Sequence, residues 1–262
     1  MTQQPTQKIR LLLAYDGTDF GGWQKQVEGK PTLQGTLESV FSRLFDEPVQ
    51  VVGSGRTDAG VHAIGQVAHL KTTKDVSRYQ LVRAANALLP SGIVVRRAWA
   101  APDDFHALAS ATHKTYRYWI HNSPVPSALR GRYLTWIPRP LDLDYLQACL
   151  TPIKGEHDFA SFQTSGTDSG PTVRHLKEAL WSRKSSNLLC FSVTSEGFLK
   201  QMVRNLVGTM VDLYFSGRPA SDMGVILAAQ NRQKALGTAR PEGLHLCRVY
   251  YPRDLDNRCR TL

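Results

Sequence analysis

The sequence predicts an α+β fold of two halves, each with the element order βαββαβ, around a central cleft. Three observations carry that expectation. Short segments alternate apolar and polar residues, as half-buried strands do. Apolar residues at helical spacing follow residues suited to capping. The two kinds of segment succeed one another in the same order twice, the order of a ferredoxin-like split unit. The division this suggests is residues 1–105 and residues 106–262.

In the first half, Ile9, Leu11, Leu13 and Tyr15 alternate, which predicts a strand from Lys8 to Asp16. Thr32 is placed to cap a helix carrying Leu33, Leu37, Val40, Phe41 and Leu44 on one face, stopped by Pro48. Val49 to Val52 reads as a short β-branched strand; a glycine-rich loop and a strand from Gln66 to Thr72 follow. Ser77 and Gln80 make a capping box for a helix ending near Leu89 and Pro90. Ile93 to Ala100 is the fourth strand.

The second half has longer loops. Lys114 to His121 alternates, with Tyr116, Tyr118 and Ile120 on one side. Asp142 can cap a helix with Leu143, Leu146 and Leu150 on one face. Strands are expected from Arg174 to Arg183 and from Leu188 to Thr194, turning at Ser185 to Asn187. Phe198 to Phe215 is strongly helical, interrupted by Gly208. Ser221 can cap a further short helix, and Leu244 to Tyr251 is the last strand.

Composition narrows the function. The 262 residues are 42% hydrophobic and 21% charged, which excludes a disordered chain. Lys plus Arg exceeds Asp plus Glu by 32 to 22, a net charge of +10 that points to a polyanionic partner. The surplus is +2 in residues 1–105 and +8 in residues 106–262, which makes the second half the expected platform. No run approaches the roughly 18 apolar residues of a membrane span, and the residues before Leu11 to Ala14 are polar, unlike a signal peptide. Cys149, Cys190, Cys247 and Cys259 form no CxxC pair, so an intracellular, cytoplasmic protein is expected. There is no HExxH, no zinc spacing and no phosphate-binding GxxxxGK[ST] loop. Gly53 and Gly55 begin a GxG, but Asp58 stands where a dinucleotide fingerprint needs its third glycine.

The most unusual segment is Gly53-Ser54-Gly55-Arg56-Thr57-Asp58-Ala59-Gly60-Val61-His62. An isolated loop aspartate is ordinarily a turn cap, with Arg56 as its surface partner. Here three glycines allow close backbone approach, and one carboxylate lies between an arginine and a histidine. A carboxylate held ionised near a fixed cation can act as a nucleophile.

GRTDAGVHA, with AYDGTDFGGWQ upstream, closely resembles the tRNA pseudouridine synthase A family. FHALASATHKTYRYWIHN from Phe105, GEHDFASF from Gly155 and FLKQMVRNLVG from Phe198 extend the resemblance over nearly the whole chain, in the family's order. The resemblance implies two ferredoxin-like halves around a catalytic, RNA-binding cleft. It implies an isomerase that converts uridine to pseudouridine in the anticodon arm of tRNA, at positions 38 to 40. It also implies a homodimer, and no cofactor, because the uracil leaves C1′, rotates and rejoins the ribose through C5.

By the same resemblance Asp58 is the catalytic residue. Attack on ribose C1′, attack on uracil C6 and glycal formation by removal of a 2′ proton all remain open to it. Tyr116 matches the active-site tyrosine of the YRY strand. Its ring can pack on a flipped uracil, and its hydroxyl can assist loss of the C5 proton. Core packing is the plainer role for Tyr116, and for Tyr118 beside it. Arg204 of MVRN matches the arginine that the family pairs with the aspartate. Arg56 matches the arginine before the nucleophile and suits RNA contact or base extrusion. Tyr116, Arg204 and Arg56 are thus the expected substrate-binding residues, and no metal ligand is expected. His62, and Asp158 with Phe159 in HDF, suit structural roles.

Two departures concern substrate contacts. Thr238-Ala239-Arg240-Pro241-Glu242-Gly243-Leu244 stands where the family commonly has TAPAxGL. Lys200 and Gln201 stand where aromatic residues or histidine are frequent. Two rival readings are weaker. A non-catalytic RNA-binding protein has no need of the GRTD loop. An aspartate-nucleophile hydrolase on a small substrate does not explain the charge.

Overall fold

The computed structural model describes residues 6–26, 29–75, 78–164 and 170–262, and shows an α+β protein. It divides into two compact units. One is Met1–Thr112 with Leu246–Leu262, and the other is His113–His245. The division expected at 105/106 therefore lies at 112/113, and the chain's last residues belong to the first unit. The first unit carries 16 basic and 12 acidic residues and the second 16 and 10. The charge asymmetry read from the sequence halves largely disappears, because four arginines return with the C-terminus.

In the first unit, β1 (Gln7–Tyr15) lies between β3 (His62–Thr72) and β4 (Ile93–Ala101), antiparallel to both, and β2 (Val52–Gly53) pairs with β3. Ile9, Leu11 and Leu13 are fully buried on one face of β1. The helix α1 (Leu33–Phe45) begins where Thr32 accepts from the Gly35 amide. It buries Leu33, Leu37, Phe41 and Phe45, each worth roughly 1.5–3 kcal/mol. It stops at Asp46, whose left-handed backbone (φ 52°) ends the helix before Pro48 is reached. Strand β2 is shorter than Val49 to Val52 and displaced from it. Helix side chains take the earlier backbone groups instead: Ser42 Oγ accepts from Val49 N, Glu38 from Val51 N, and Gln34 donates to the Val51 carbonyl. The helix α2 (Arg78–Leu88) has Asn86 bonded to both N and O of Val95, beside the register shift between β1 and β4. The expected Ser77 cap lies outside the described residues.

In the second unit, β5 (His113–Asn122) pairs in parallel with the short β6 (Thr135–Ile137) and antiparallel with β9 (Leu188–Ser195). Strand β9 pairs with β8 (Val173–Ser185), and β8 with β7 (Gly155–Asp158). Strands β6 and β7 are additions to the expected order, three and four residues long and too brief to show a period. Asp142 caps α3 (Leu143–Ala148) as expected. The long helix α4 (Met202–Phe215) starts four residues later than Phe198, because Gln201 takes a left-handed conformation (φ 59°). Gly208 does not interrupt it. A Cβ there would collide with the Gly237 carbonyl, so the glycine lets the 237–239 segment lie against the helix. Ser221 precedes α5 (Asp222–Ala228) without a side-chain cap bond.

The last strand, β10 (Leu244–Tyr250), neighbours β3 of the first unit. The chain ends in α6 (Arg253–Arg258) and β11 (Arg260–Thr261), which pairs with the edge of β4. Neither was expected from the sequence. Arg10 anchors this return. Its guanidinium bonds Asp256 at 2.5 Å and lies 4.6–5.3 Å from the ring centres of Tyr251, Trp99 and Phe105. Tyr251 in turn donates to the Ala107 carbonyl at 2.7 Å.

Candidate active site

The segment from Gly53 to His62 leaves β2 and re-enters the sheet as β3. Its course is set by a buried polar network. Ser54 N donates to the Val67 carbonyl at 2.8 Å, and Ser54 Oγ donates to Gln66 Oε1 at 2.6 Å. Gln66 Nε2 donates to the Gly55 carbonyl at 2.9 Å and reaches the Tyr15 hydroxyl at 3.4 Å. That hydroxyl shares a 2.9 Å hydrogen bond with Thr57 Oγ1. Burial pushes the Tyr15 phenol pKa up, so the group stays a neutral O–H. The Thr57 carbonyl accepts from Trp23 N at 2.9 Å. Ser54 and Gln66 are fully buried.

The upstream AYDGTDFGGWQ stretch fits against this loop. Gly22, at φ +98°, lies against the backbone of Thr57 to Ala59, and the Trp23 indole occupies the place where a Cβ on Gly53 would stand. Gly17 has room for no side chain because the Val61 carbonyl occupies its place. Gly17 N donates to His62 Nδ1 at 3.1 Å. Asp16 Oδ1, 3.3 Å from that same nitrogen, accepts instead from Thr18 N and Oγ1. His62 is buried and joins the two motifs.

Within this frame Asp58 is half-buried and Arg56 exposed. A turn closes behind Asp58, its carbonyl accepting from Val61 N at 3.1 Å, with Gly60 at φ +77°. The loop thus fixes the residues on both sides of one carboxylate and turns an arginine to solvent. A carboxylate so placed can serve as nucleophile or base.

Tyr116 and Arg204 lie in the second unit. Tyr116 sits on β5 opposite Val193, 7% exposed, with its ring edge-on to Phe198 at 5.0 Å. Tyr118 is fully buried. Its hydroxyl is committed to Thr135 Oγ1 at 2.6 Å and the Arg240 carbonyl at 2.8 Å, which is a packing role. Arg204 opens α4, half-buried. Its Nε donates to the Ala239 carbonyl at 2.8 Å, and its own carbonyl accepts from Ala239 N at 3.0 Å. The next residue, Asn205, is fully buried. It donates to the Phe162 carbonyl and accepts from Thr238 Oγ1 and Arg232.

Both departures from the family pattern fall in this frame. The Arg240 carbonyl receives the Tyr118 hydroxyl. Gln201 Oε1 accepts from Thr164 Oγ1 at 2.6 Å. In HDF, Asp158 accepts from Ala160 N and Phe159 is fully buried, so both are structural. Sequence reasoning passed over Tyr15, Gln66, Asn205 and Thr238. A glutamine beside Val67 and Ala68, and a tyrosine ending an alternating row of aliphatics, are the available signals. Among the described residues, no group of three or more His, Cys, Asp or Glu is placed to hold a metal ion, and no helix is long and apolar enough to cross a membrane.

A family model described as tRNA pseudouridine synthase matches residues 12–108 and 152–252. The chain is 48% identical over 261 residues to the tRNA pseudouridine synthase A of Bdellovibrio bacteriovorus, covering 98% of this chain and 100% of that one. It is 42% identical to the protein of the same name from Geobacillus kaustophilus, over 94% of this chain and 95% of that one. It is 39% identical to the one from Paraburkholderia xenovorans, over 94% and 90%. Among solved structures it is similar to a chain of a Cbf5-Nop10-Gar1 complex, with a TM-score of 0.40 and 10% identity, over 91% of this chain and 49% of that one.

Proposed function

The chain belongs to the tRNA pseudouridine synthase family, and from that premise we propose that it isomerises uridine to pseudouridine in the anticodon arm of tRNA, at positions 38 to 40, with Asp58 as its catalytic residue. The observation that carries the proposal is the GRTD loop. Its residues before Asp58 are tied to β1 and β3, a turn closes after it, and Asp58 itself is half-buried.

The reaction balances without a cofactor. The N1–C1′ bond breaks, the uracil turns, and a C5–C1′ bond forms. The proton on C5 leaves and N1 ends protonated, so nothing is oxidised or reduced. Asp58 carries the charge that starts the exchange. Tyr116 offers its ring to the uracil and its hydroxyl to the departing C5 proton. Arg204, held in place by Ala239, and Arg56, exposed on the loop, bind the substrate. The net charge of +10 suits a tRNA partner bound largely through phosphates. The enzyme acts in the cytoplasm as a homodimer.

The test is release of tritium from 5-tritiated uridine in an unmodified tRNA transcript. Asp58→Asn keeps shape and polarity but no anion, so it should bind tRNA and release nothing. Turnover by this variant would remove Asp58 from the chemistry. Repeating the assay on pre-folded tRNA with EDTA should leave the wild-type rate unchanged.

A further inference from the structure

We propose that Tyr15 and Thr57 are a positioning pair, holding the loop so that the carboxylate of Asp58 meets the uridine at a fixed place. This inference rests on the reading of Asp58 as the catalytic residue and deepens it.

The core face of β1 needs only an apolar residue at position 15. Ile9, Leu11 and Leu13 fill the rest of that face, and a phenylalanine would satisfy the same packing. The Tyr15 hydroxyl is therefore surplus to packing, and a buried hydroxyl costs stability unless it is paired. It is paired with Thr57, the residue immediately before Asp58, at 2.9 Å. Gln66, on the neighbouring strand, braces the phenol and the Gly55 carbonyl with one amide group. Thr57 is fastened again through its carbonyl to Trp23 N. The peptide that carries Asp58 is thus referenced to β1 and β3 rather than left to a glycine-rich loop. Rigid elements place a reacting group better than loops do, and a displacement of about 1 Å at a reacting atom costs on the order of 100-fold in rate.

The experiment compares Tyr15→Phe, Thr57→Val, the double variant, Thr57→Ser and Asp58→Asn. Each is assayed in single turnover at saturating unmodified tRNA transcript, with the rate taken per folded molecule and the tRNA Kd measured separately. Tyr15→Phe and Thr57→Val are expected to slow the step at least about tenfold while Kd stays within about twofold. The double variant should be no slower than the slower single, because the bond that Thr57→Val removes is already lost in Tyr15→Phe. Thr57→Ser, which restores the hydroxyl, should recover most of the rate. A role confined to stability would lower the melting temperature and leave the rate per folded molecule intact.

Single-variant rates above the tenfold loss, losses that multiply in the double, or a Thr57→Ser as slow as Thr57→Val would each overturn the proposal. If Tyr15→Phe does not fold, the Val and Ser variants of Thr57 decide the matter between them. Asp58→Asn separates the two readings. Its turnover would sink the assignment of Asp58. Its inertness beside fully active Tyr15→Phe and Thr57→Val would sink only the positioning pair.

Discussion

Gly22 lies directly against Asp58: a Cβ on the glycine would stand 3.2 Å from the carbonyl carbon of the aspartate and 2.9 Å from the Thr57 oxygen. The φ of Gly22 is +98°, a region that side chains disfavour. Two motifs separated by some thirty residues of sequence therefore meet at backbone distance, and the upstream one is part of the support for the loop.

Gly22→Ala should cost about 1–3 kcal/mol of stability, from strained φ and from displacement of the Thr57–Asp58 peptide. Activity per folded molecule should fall further than stability alone explains. Thermal unfolding and the tritium-release rate, measured on the same preparation, check this. A variant that is less stable but turns over normally would show that the loop tolerates the shift.

Tyr116→Phe keeps the ring packed on Phe198 and removes only the hydroxyl. If that hydroxyl assists proton loss from C5, the chemical step slows about 10–100-fold and the fold is unaffected. Tyr116→Leu should lose the stacking face as well and weaken substrate binding. A Phe variant at the wild-type rate would confine Tyr116 to packing.

Arg204→Lys keeps the charge but removes the Nε donor that the Ala239 carbonyl accepts. A lysine ammonium cannot reproduce that fixed fork. The tRNA Kd should change little and the single-turnover rate should fall about tenfold or more. An unchanged rate would mean that charge alone matters at this position.

Stability should depend on pH through His69. It is 7% exposed, and its Nδ1 accepts from Ala107 N at 3.1 Å. Burial first, then the nearby His106, Lys8 and Lys71, bring its pKa down from an ordinary 6.5 to about 4. The folded protein therefore holds His69 neutral, while the unfolded chain protonates it near pH 6.5. Below that pH the unfolded state binds the extra proton, so stability falls as pH drops from about 6.5 towards 4 and is recovered above it. The span is at most about 2–3 kcal/mol. His69→Asn, which keeps an acceptor for the Ala107 amide, should flatten this dependence in urea unfolding curves. An identical slope in the variant would assign the titration elsewhere.

Much of this was legible in the sequence where the signal is local. Alternation placed β1 and β5 to within a few residues, the strands expected at Ile93, Arg174 and Leu188 lie there as β4, β8 and β9, and Thr32 and Asp142 cap the helices they precede. The misses have tertiary causes. Backbone groups from Val49 to Val51 are satisfied by α1 side chains, so the β-branched run there makes no full strand. Gly208 reads as a helix breaker until the 237–239 segment is seen packed upon it. At the candidate site, Asp58 and Arg56 stand out by motif. Gln66 and Tyr15 do not, because their polar ends matter only through partners distant in sequence.

The return of residues 246–262 to the first unit has a consequence for how the protein is made. The unit that carries Asp58 is built from chain on both sides of the second unit. The whole of His113–His245 is synthesised in between. Domains ordinarily fold in order of synthesis, yet here β11 cannot cover the edge of β4, nor Asp256 meet Arg10, until the chain beyond the second unit has been made. The nascent first unit must wait with that edge bare, and loss of α6 and β11 would damage the first unit rather than the one that precedes them in the chain.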